Sequence, residues 1–195
     1  MSGDSFLLVG AGGHAKAIVE ALESHALMAY VDNVAAPWLA ARHICDDETA
    51  LRSAEPANFV LGVGGVTRDA LERRFLLFER YLASGRAAPP LRHPAAYVSA
   101  AAQIEEGAII LAGAVVQPGA VIGRAAIVNT GAIVEHDSHL GAGSHLAPRA
   151  VLLGGVTVGR CAMIGAGAVV LPQCEIGDGV LVAANSLSRV KGGAA

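Results

Sequence analysis

The chain has 195 residues, a formal net charge of −3 and an apolar content of 53%, and aromatic residues make up only 4% of it. This length allows one or two domains, and the lack of a basic cluster argues against nucleic acid as a partner. The amino terminus has no basic segment before an apolar run, and no apolar run is long enough for a membrane span. We therefore expect a cytoplasmic protein that does not bind membranes.

The first predicted elements are a buried strand over residues 6–9, a glycine-rich turn and an amphipathic helix. Gly10, Gly12 and Ala15 fit the G-x-G-x-x-A form of the dinucleotide fingerprint, and Asp32 follows about twenty residues later, after a second strand. Glycines in such a turn let the backbone approach a phosphate, and the helix amino terminus favours the anion. A tight strand–helix turn without a ligand is the alternative.

A third strand over residues 59–63 and a helix over roughly 67–84 complete a small Rossmann-like βαβ unit. With about three strands it is half of a dinucleotide domain, which suits a mononucleotide moiety better than NAD. The proline-containing stretch 86–90 predicts the linker. We therefore predict an α/β nucleotide-sugar-binding domain over 1–88 and a second domain over 89–195.

The second domain is defined by a period of six. Every sixth residue from Val98 to Val182 is a branched aliphatic, fifteen times in succession. The series is Val98, Ile104, Ile110, Val116, Ile122, Val128, Val134, Leu140, Leu146, Leu152, Val158, Ile164, Val170, Ile176 and Val182. This period is typical of a hexapeptide-repeat parallel β-helix with a triangular cross-section. Glycine recurs three residues after the aliphatic position, where a corner of the coil requires a positive φ.

The outward residues of the repeats fall on three faces. One face is mostly polar and carries Gln103, Val121, His139, Thr157 and Glu175. The other two are apolar and carry Ile109, Ile127, His145, Met163 and Leu181 in one case and Val115, Ile133, Val151, Val169 and Leu187 in the other. Exposed apolar strips mark interfaces, and a heterologous contact that closes gives a ring. We predict a homotrimer that uses both strips; the alternative is that the amino-terminal domain covers one of them.

Polar side chains are scarce in the repeats, so Asn129, the segment 135–139 and His145 stand out. A zinc site could use His136, His139 and His145 between subunits. Within one chain, however, these histidines project from different faces or from different positions of the hexad. Such a site would need two subunits, and we predict no metal.

Proton chemistry is the other interpretation of these residues. A neutral imidazole beside a carboxylate is a competent general base near pH 7, and His136 could pair with Asp137 or with Glu135. His145 lies in an apolar outward column, where it could line the cleft between two prisms and meet an acyl thioester. His139 is expected to be a solvated side chain without a role.

At these residues the chain resembles a known family. The segment Asn129-Thr-Gly-Ala-Ile-Val-Glu135-His136-Asp137, followed by Gly143-Ser-His145, is similar to the core motif of bacterial left-handed β-helix sugar acyltransferases. Gly10-Ala-Gly-Gly-His14 also matches the subfamily that joins a small nucleotide-binding domain to the helix. That subfamily includes nucleotide-4-amino-sugar N-acetyltransferases and sialic acid O-acetyltransferases. The left-handed sense of the coil is implied by the resemblance alone.

The resemblance also implies roles for individual residues. His136 would be the general base, and Asp137 would increase its basicity. The residues implied along acetyl-CoA are His145, Ala166 and Ala184, and those implied to hold the nucleotide part of the sugar are Gly12, Gly13, His14, Asp32, Asn33 and Gly64. The implied reaction is direct transfer of an acetyl group from acetyl-CoA to the amine of a nucleotide-linked 4-amino-sugar, without an acyl-enzyme.

Two features depart from the family pattern. Ala184 stands where glycine is common and could crowd the path of acetyl-CoA, and the sequence ends at Ala195, where relatives continue into a Val-Pro-Ala-Lys-type tail over CoA. Three alternative functions remain open from the sequence. They are a sialic-acid-type sugar O-acetyltransferase, a non-catalytic trimeric binding scaffold, and a zinc-dependent enzyme of the carbonic anhydrase type.

Overall fold

The computed structural model describes residues 5–22, 27–53 and 55–189. In the amino-terminal domain, four parallel strands form one sheet in the order β3-β2-β1-β4. The strands are β1 (Phe6–Val9), β2 (Leu27–Val31), β3 (Arg42–Ile44) and β4 (Asn58–Leu61), and the helices are α1 (Gly13–Ala21), α2 (Asp47–Leu51) and α3 (Arg68–Ala83). Helix α1 packs on one face of the sheet and α3 on the other.

The sequence prediction of about three strands was wrong by one. Strand β3 has three residues, of which only Ile44 is buried, so no alternation of apolar and polar residues is visible in it. Helix α2 was also missed, although it carries a cap signal: Asp46 precedes it and accepts a hydrogen bond from the Thr49 amide at 2.7 Å.

The carboxyl-terminal domain is a parallel β-helix of two-residue strands that recur every six residues. The polar side contains β7 (Gln103–Ile104), β10 (Val121–Ile122), β13 (His139–Leu140), β16 (Thr157–Val158) and β19 (Glu175–Ile176). The covered side contains β5 (Leu91–Arg92), β8 (Ile109–Ile110), β11 (Ile127–Val128), β14 (His145–Leu146), β17 (Met163–Ile164) and β20 (Leu181–Val182). The open apolar side contains β6 (Tyr97–Val98), β9 (Val115–Val116), β12 (Ile133–Val134), β15 (Val151–Leu152), β18 (Val169–Val170) and β21 (Leu187–Ser188).

The predicted columns of the repeat are confirmed. Each strand pairs with the one eighteen residues later, as Val121 does with His139, and the aliphatic series fills the core, with Ile110 and Leu146 fully buried. The corner glycines have φ values between +65° and +74°, as the need for a left-handed conformation predicts. Asp137 occupies the same corner position in its own coil, with φ at +59°.

One of the two apolar strips is not free, so the prediction that both are intermolecular interfaces was wrong. Ile109, Ile127 and Met163 on the covered side are at most 8% exposed, because the core of the amino-terminal domain continues onto that side. The alternative, coverage by the chain's own first domain, is what the structure contains. Val115 and Ile133 on the open apolar side remain partly exposed.

The segment between the domains, residues 86–90, is fixed to the first domain at its start. Arg86 is buried and donates to the carbonyl oxygens of Pro56 at 3.2 Å and Ala50 at 2.8 Å. The Ala87 amide donates to the Ala57 carbonyl at 2.9 Å. No helix in the described part of the chain is both long and apolar enough to span a bilayer.

Candidate active site

His136 and Asp137 form an exposed pair at the corner between the open apolar side and the polar side, here called the dyad corner. His136 Nδ1 lies 2.9 Å from Asp137 Oδ2, and the two side chains are 64% and 74% exposed. A carboxylate only accepts hydrogen bonds, so Nδ1 carries the proton and the lone pair of Nε2 is left free. The carboxylate on the ring is that of Asp137 rather than Glu135, which settles the choice that the sequence left open.

Two glycines in the neighbouring coils make room for this pair. A Cβ at Gly119, eighteen residues before Asp137, would collide with its carboxylate, and a Cβ at Gly154, eighteen residues after His136, would lie 2.6 Å from Nε2. The φ of Gly154 is not in the left-handed region, so its missing side chain serves the imidazole rather than the turn. Gly154 was not predicted as a site residue from the sequence, although its eighteen-residue spacing from His136 was a signal for it.

A cavity of about 360 Å³ lies at the carboxyl ends of the parallel strands in the amino-terminal domain. Its lining residues are Val9, Gly10, Val31, Asp32, Asn33, Cys45, Asp46, Asp47, Val63 and Leu77. Ligands of open α/β sheets bind at this end of the strands. Asp32 and Asn33 were expected here from the sequence, whereas the other expected nucleotide contacts lie around α1 and the turn after β4.

The glycine-rich turn before α1 is held by Asp32. Its Oδ2 accepts from the Ala11 amide at 2.8 Å, and its Oδ1 accepts from the Val34 amide at 3.1 Å. Helix α1 begins after Gly12 without a side-chain cap, and a Cβ at Gly12 or Gly13 would meet no atom within 4 Å. Gly12 and Gly13 are both exposed, so the amino terminus of α1 is uncovered, and an uncovered helix amino terminus favours an anion.

His14 follows these glycines and packs beneath the turn after β4. A Cβ at Gly64 would lie 3.4 Å from the His14 ring. Burial, reinforced by the charge of Arg74 and by His145, lowers the pKa of His14 to about 4, so the ring is neutral at pH 7. Its Nε2 is buried and has no hydrogen-bond partner among the described residues.

His145 joins the two domains of its own chain. It is 5% exposed, its Nδ1 donates to the Gly65 carbonyl at 2.7 Å, and its Nε2 accepts from Asn129 Nδ2 at 2.9 Å. Burial lowers the pKa of the ring. The prediction that His145 lines a cleft between two prisms was wrong, because the domain on the covered side encloses it. The apolar residues in the same outward column gave no sign of whether the chain's own first domain or a second chain would cover His145.

The two alanines expected along acetyl-CoA lie at the corner between the covered side and the open apolar side, here called the donor corner. Ala166 and Ala184 are exposed and one coil apart, and the Asn185 amide donates to the Ala166 carbonyl at 2.8 Å. Residues 190–195, after which relatives were expected to continue into a tail over CoA, lie outside the described residues.

A single chain does not bring all the expected site residues together. In a triangular coil the dyad corner lies opposite the covered side, so the core of the β-helix separates His136 from His145 and from the amino-terminal domain. Of the three histidines of the zinc hypothesis, His139 lies on the polar side next to the dyad corner, whereas His145 lies on the covered side, beyond the core. The described ranges contain no group of three or more metal-ligating side chains.

The family comparison agrees with the repeat. The model described as bacterial transferase hexapeptide (six repeats) matches residues 137–171 and 155–187. No protein of curated function matches the sequence.

Solved structures match over almost the whole chain. A histidine mutant of perosamine N-acetyltransferase from Caulobacter crescentus, in complex with CoA and GDP-perosamine, is 32% identical, with 96% of this chain and 89% of that chain covered and a TM-score of 0.88. PerB from the same organism, also with CoA and GDP-perosamine, is 33% identical with the same coverage and a TM-score of 0.86. The acetyltransferase domain of PglB from Neisseria gonorrhoeae is 30% identical, with 96% and 92% covered and a TM-score of 0.86.

The hexapeptide repeats and these structural matches place the chain in the class of hexapeptide-repeat acyltransferases. Given these identities and coverages, the chain belongs to the bacterial left-handed β-helix sugar acyltransferases that carry a small amino-terminal α/β domain. The predicted family, fold class and enzyme class are confirmed.

Proposed function

We propose that the chain transfers an acetyl group from acetyl-CoA to the amine of a nucleotide-linked 4-amino-sugar, with His136 as general base. The observation that carries the proposal is the exposed His136–Asp137 pair, whose hydrogen bond leaves Nε2 free. It is supported by relatives of similar length that are complexed with CoA and GDP-perosamine. The PglB domain is likewise complexed with acetyl coenzyme A.

The chemistry follows from the free nitrogen. His136 Nε2 takes a proton from the sugar amine while the amine nitrogen attacks the thioester carbonyl carbon, so that a C–N bond forms and the C–S bond breaks. The sulfur leaves as the thiolate of CoA and receives the proton from the imidazolium. Asp137 stabilises that imidazolium while it is charged and keeps the ring in the productive tautomer. Because the amine attacks directly, no acyl-enzyme forms.

The amino-terminal domain would hold the nucleotide part of the substrate. The exposed amino terminus of α1 at Gly12 and Gly13 suits the diphosphate, and the cavity beside Asp32 and Asn33 suits the nucleoside. Gly64 and the neutral His14 would complete the wall at the turn after β4. Because the ring of His14 is neutral at pH 7, it adds no positive charge to this wall.

Acetyl-CoA would lie along the donor corner. Ala166 and Ala184 present only methyl groups there, which leaves the corner accessible to an extended pantetheine chain. We assign His145 an indirect role, since both of its ring nitrogens are already bonded, to Gly65 and Asn129. The ring would fix the position of the turn after β4 relative to the β-helix, and so relative to the donor corner.

The homotrimer predicted from the sequence is part of the same proposal. The open apolar side is bordered by the dyad corner on one edge and by the donor corner on the other. Packing this side against a second chain would bring His136 of one chain close to the donor corner and nucleotide domain of its neighbour. A heterologous contact of this kind closes naturally into a ring. We place the reaction in the cytoplasm, where acetyl-CoA and nucleotide sugars are made.

The test is a thiol-release assay with acetyl-CoA and a panel of GDP-, UDP- and dTDP-linked 4-amino-sugars. The matched control for each is the same nucleotide sugar with a hydroxyl in place of the amine. We expect release of CoA with at least one amine and little with its hydroxyl counterpart. Release with the hydroxyl sugars alone would make the chain an O-acetyltransferase, and no release with any acceptor would contradict the proposed function.

A further inference from the structure

Arg74 is a buried cation at the junction of the two domains. It lies in α3 and is only 1% exposed. Its Nε donates to the Val63 carbonyl at 2.9 Å, its Nη1 donates to the Ala125 carbonyl of the β-helix, and its Nη2 has no partner among the described residues. Within the same ranges no carboxylate lies within ion-pair distance of the guanidinium. Burial lowers its pKa to about 10, so it is charged at pH 7.

One of the two hydrogen bonds of Arg74 goes to Val63, which lies in the short segment 62–65, here called the β4 loop. Val63 lines the cavity of the amino-terminal domain, and Gly64 packs on the ring of His14. The carbonyl of Gly65 accepts from His145. The loop is therefore held on one side by α3 through Arg74 and on the other by the β-helix through His145.

Packing alone does not account for an arginine at this position. A buried guanidinium without a counter-charge is costly, and an apolar side chain of similar volume would fill the same space at less cost. What arginine adds is a rigid set of directed N–H donors, and here they reach carbonyls in both domains. Its charge also disfavours protonation of His14 and of His145, whose pKa values are both lowered.

We propose that Arg74 is a positioning residue for the sugar substrate, because it fixes the β4 loop against the β-helix by bonding Val63 and Ala125. This rests on the proposed function, in which the amino-terminal domain holds the nucleotide sugar. The affinity for the nucleotide sugar then depends on Arg74, and the affinity for acetyl-CoA at the donor corner does not.

The kinetic test compares two variants. Arg74→Met keeps roughly the volume of the side chain, and Arg74→Lys keeps its positive charge and a single donor group in place of the guanidinium. Arg73→Met is the matched control, since Arg73 is the adjacent residue of α3 and is exposed. For Arg74→Met we expect KM for the nucleotide sugar to rise about tenfold or more, as for a lost charged hydrogen bond. KM for acetyl-CoA should stay within about twofold. The lysine variant should fall between wild type and Arg74→Met, and Arg73→Met should match wild type.

A second measurement needs no substrate. Amide hydrogen exchange of the unliganded protein should be faster over residues 62–66 in Arg74→Met than in wild type, with little change over the strands of the β-helix. Equal rises in both KM values, or unchanged exchange in the β4 loop, would overturn the proposal and leave Arg74 a purely structural residue. If Arg74→Met does not fold, the lysine variant decides by the same two readouts. If the wild type accepts no nucleotide sugar, the proposed function fails, and the exchange measurement still tests control of the loop.

Discussion

The two histidines nearest the proposed chemistry lie in opposite environments, and this sets what each can do. His136 is exposed and held by a carboxylate, so it can take up a proton when a substrate amine releases one. His14 is buried beside a cation and stays neutral at pH 7, so it is not suited to take up a proton. The difference arises from burial and charge, because both residues are ordinary imidazoles in the sequence.

The low pKa of His14 makes the stability of the fold depend on pH. The ring has a pKa of about 4 when folded and 6.5 as its reference value, so the unfolded chain binds the proton first as the pH falls. Stability is therefore lost between about pH 6.5 and pH 4, by up to roughly 3 kcal/mol from this group. We expect His14→Gln to flatten this part of the profile of unfolding free energy against pH, measured by denaturant titration. A profile that keeps its full slope in the variant would contradict the assignment.

At the scale of elements, the coils of the β-helix place the dyad through contacts eighteen residues apart. Gly119 and Gly154 stand one coil before and one coil after the dyad, and each leaves the space that a side chain of the dyad occupies. The corner geometry is thus shared by three successive coils.

Replacing Gly154 with alanine should therefore disturb catalysis more than folding. The added methyl would lie 2.6 Å from His136 Nε2, so the ring must move, and misplaced catalytic groups commonly lose ten- to hundredfold in rate. We expect a fall in kcat of about tenfold or more, with a melting temperature close to that of wild type. Gly177→Ala is the control, because a Cβ there would be at an ordinary 3.5 Å from Val180. Equal activities of the two variants would show that Gly154 does not support the ring.

The repeats made much of this architecture predictable, because the same position of each coil requires an inward-facing aliphatic side chain, as at Ile110, Val128 and Leu146. Strand β3 was not predictable, because three residues cannot display a period. The sequence also could not separate a covered apolar side from an open one, because an outward isoleucine such as Ile127 or Ile133 can pack equally well against the chain's own first domain or against a second chain. Arg74 gave no signal, because its role depends on carbonyls far away in the chain.

For the whole molecule, the open apolar side is the surface that we propose for contacts between chains. Val115, Ile133, Val151 and Val169 form a continuous, partly exposed column on it, and such a strip favours association. The covered side is already occupied by the first domain. One apolar side per chain is therefore left for contacts between copies.

A charge on this side should break the assembly. We expect wild type to have three times the chain mass of 19.7 kDa in light scattering, and Ile133→Glu to dissociate, since an unpaired buried charge is strongly unfavourable. Activity should be lost together with the assembly if the site needs two chains. Thr157→Glu, on the polar side, should stay assembled and active. A monomeric and active wild type would contradict the composite site.

The role of His136 as general base can be tested by measuring kcat for acetyl transfer in His136→Asn beside His139→Asn. Asparagine keeps a polar side chain of similar size but cannot take up the proton, so kcat should fall by about a hundredfold or more, within the range for general-base catalysis. KM for acetyl-CoA should change little. His139→Asn, on the exposed polar side, should retain wild-type kcat. Unchanged kcat in His136→Asn, with the protein folded and assembled, would contradict the assignment of His136 as the general base.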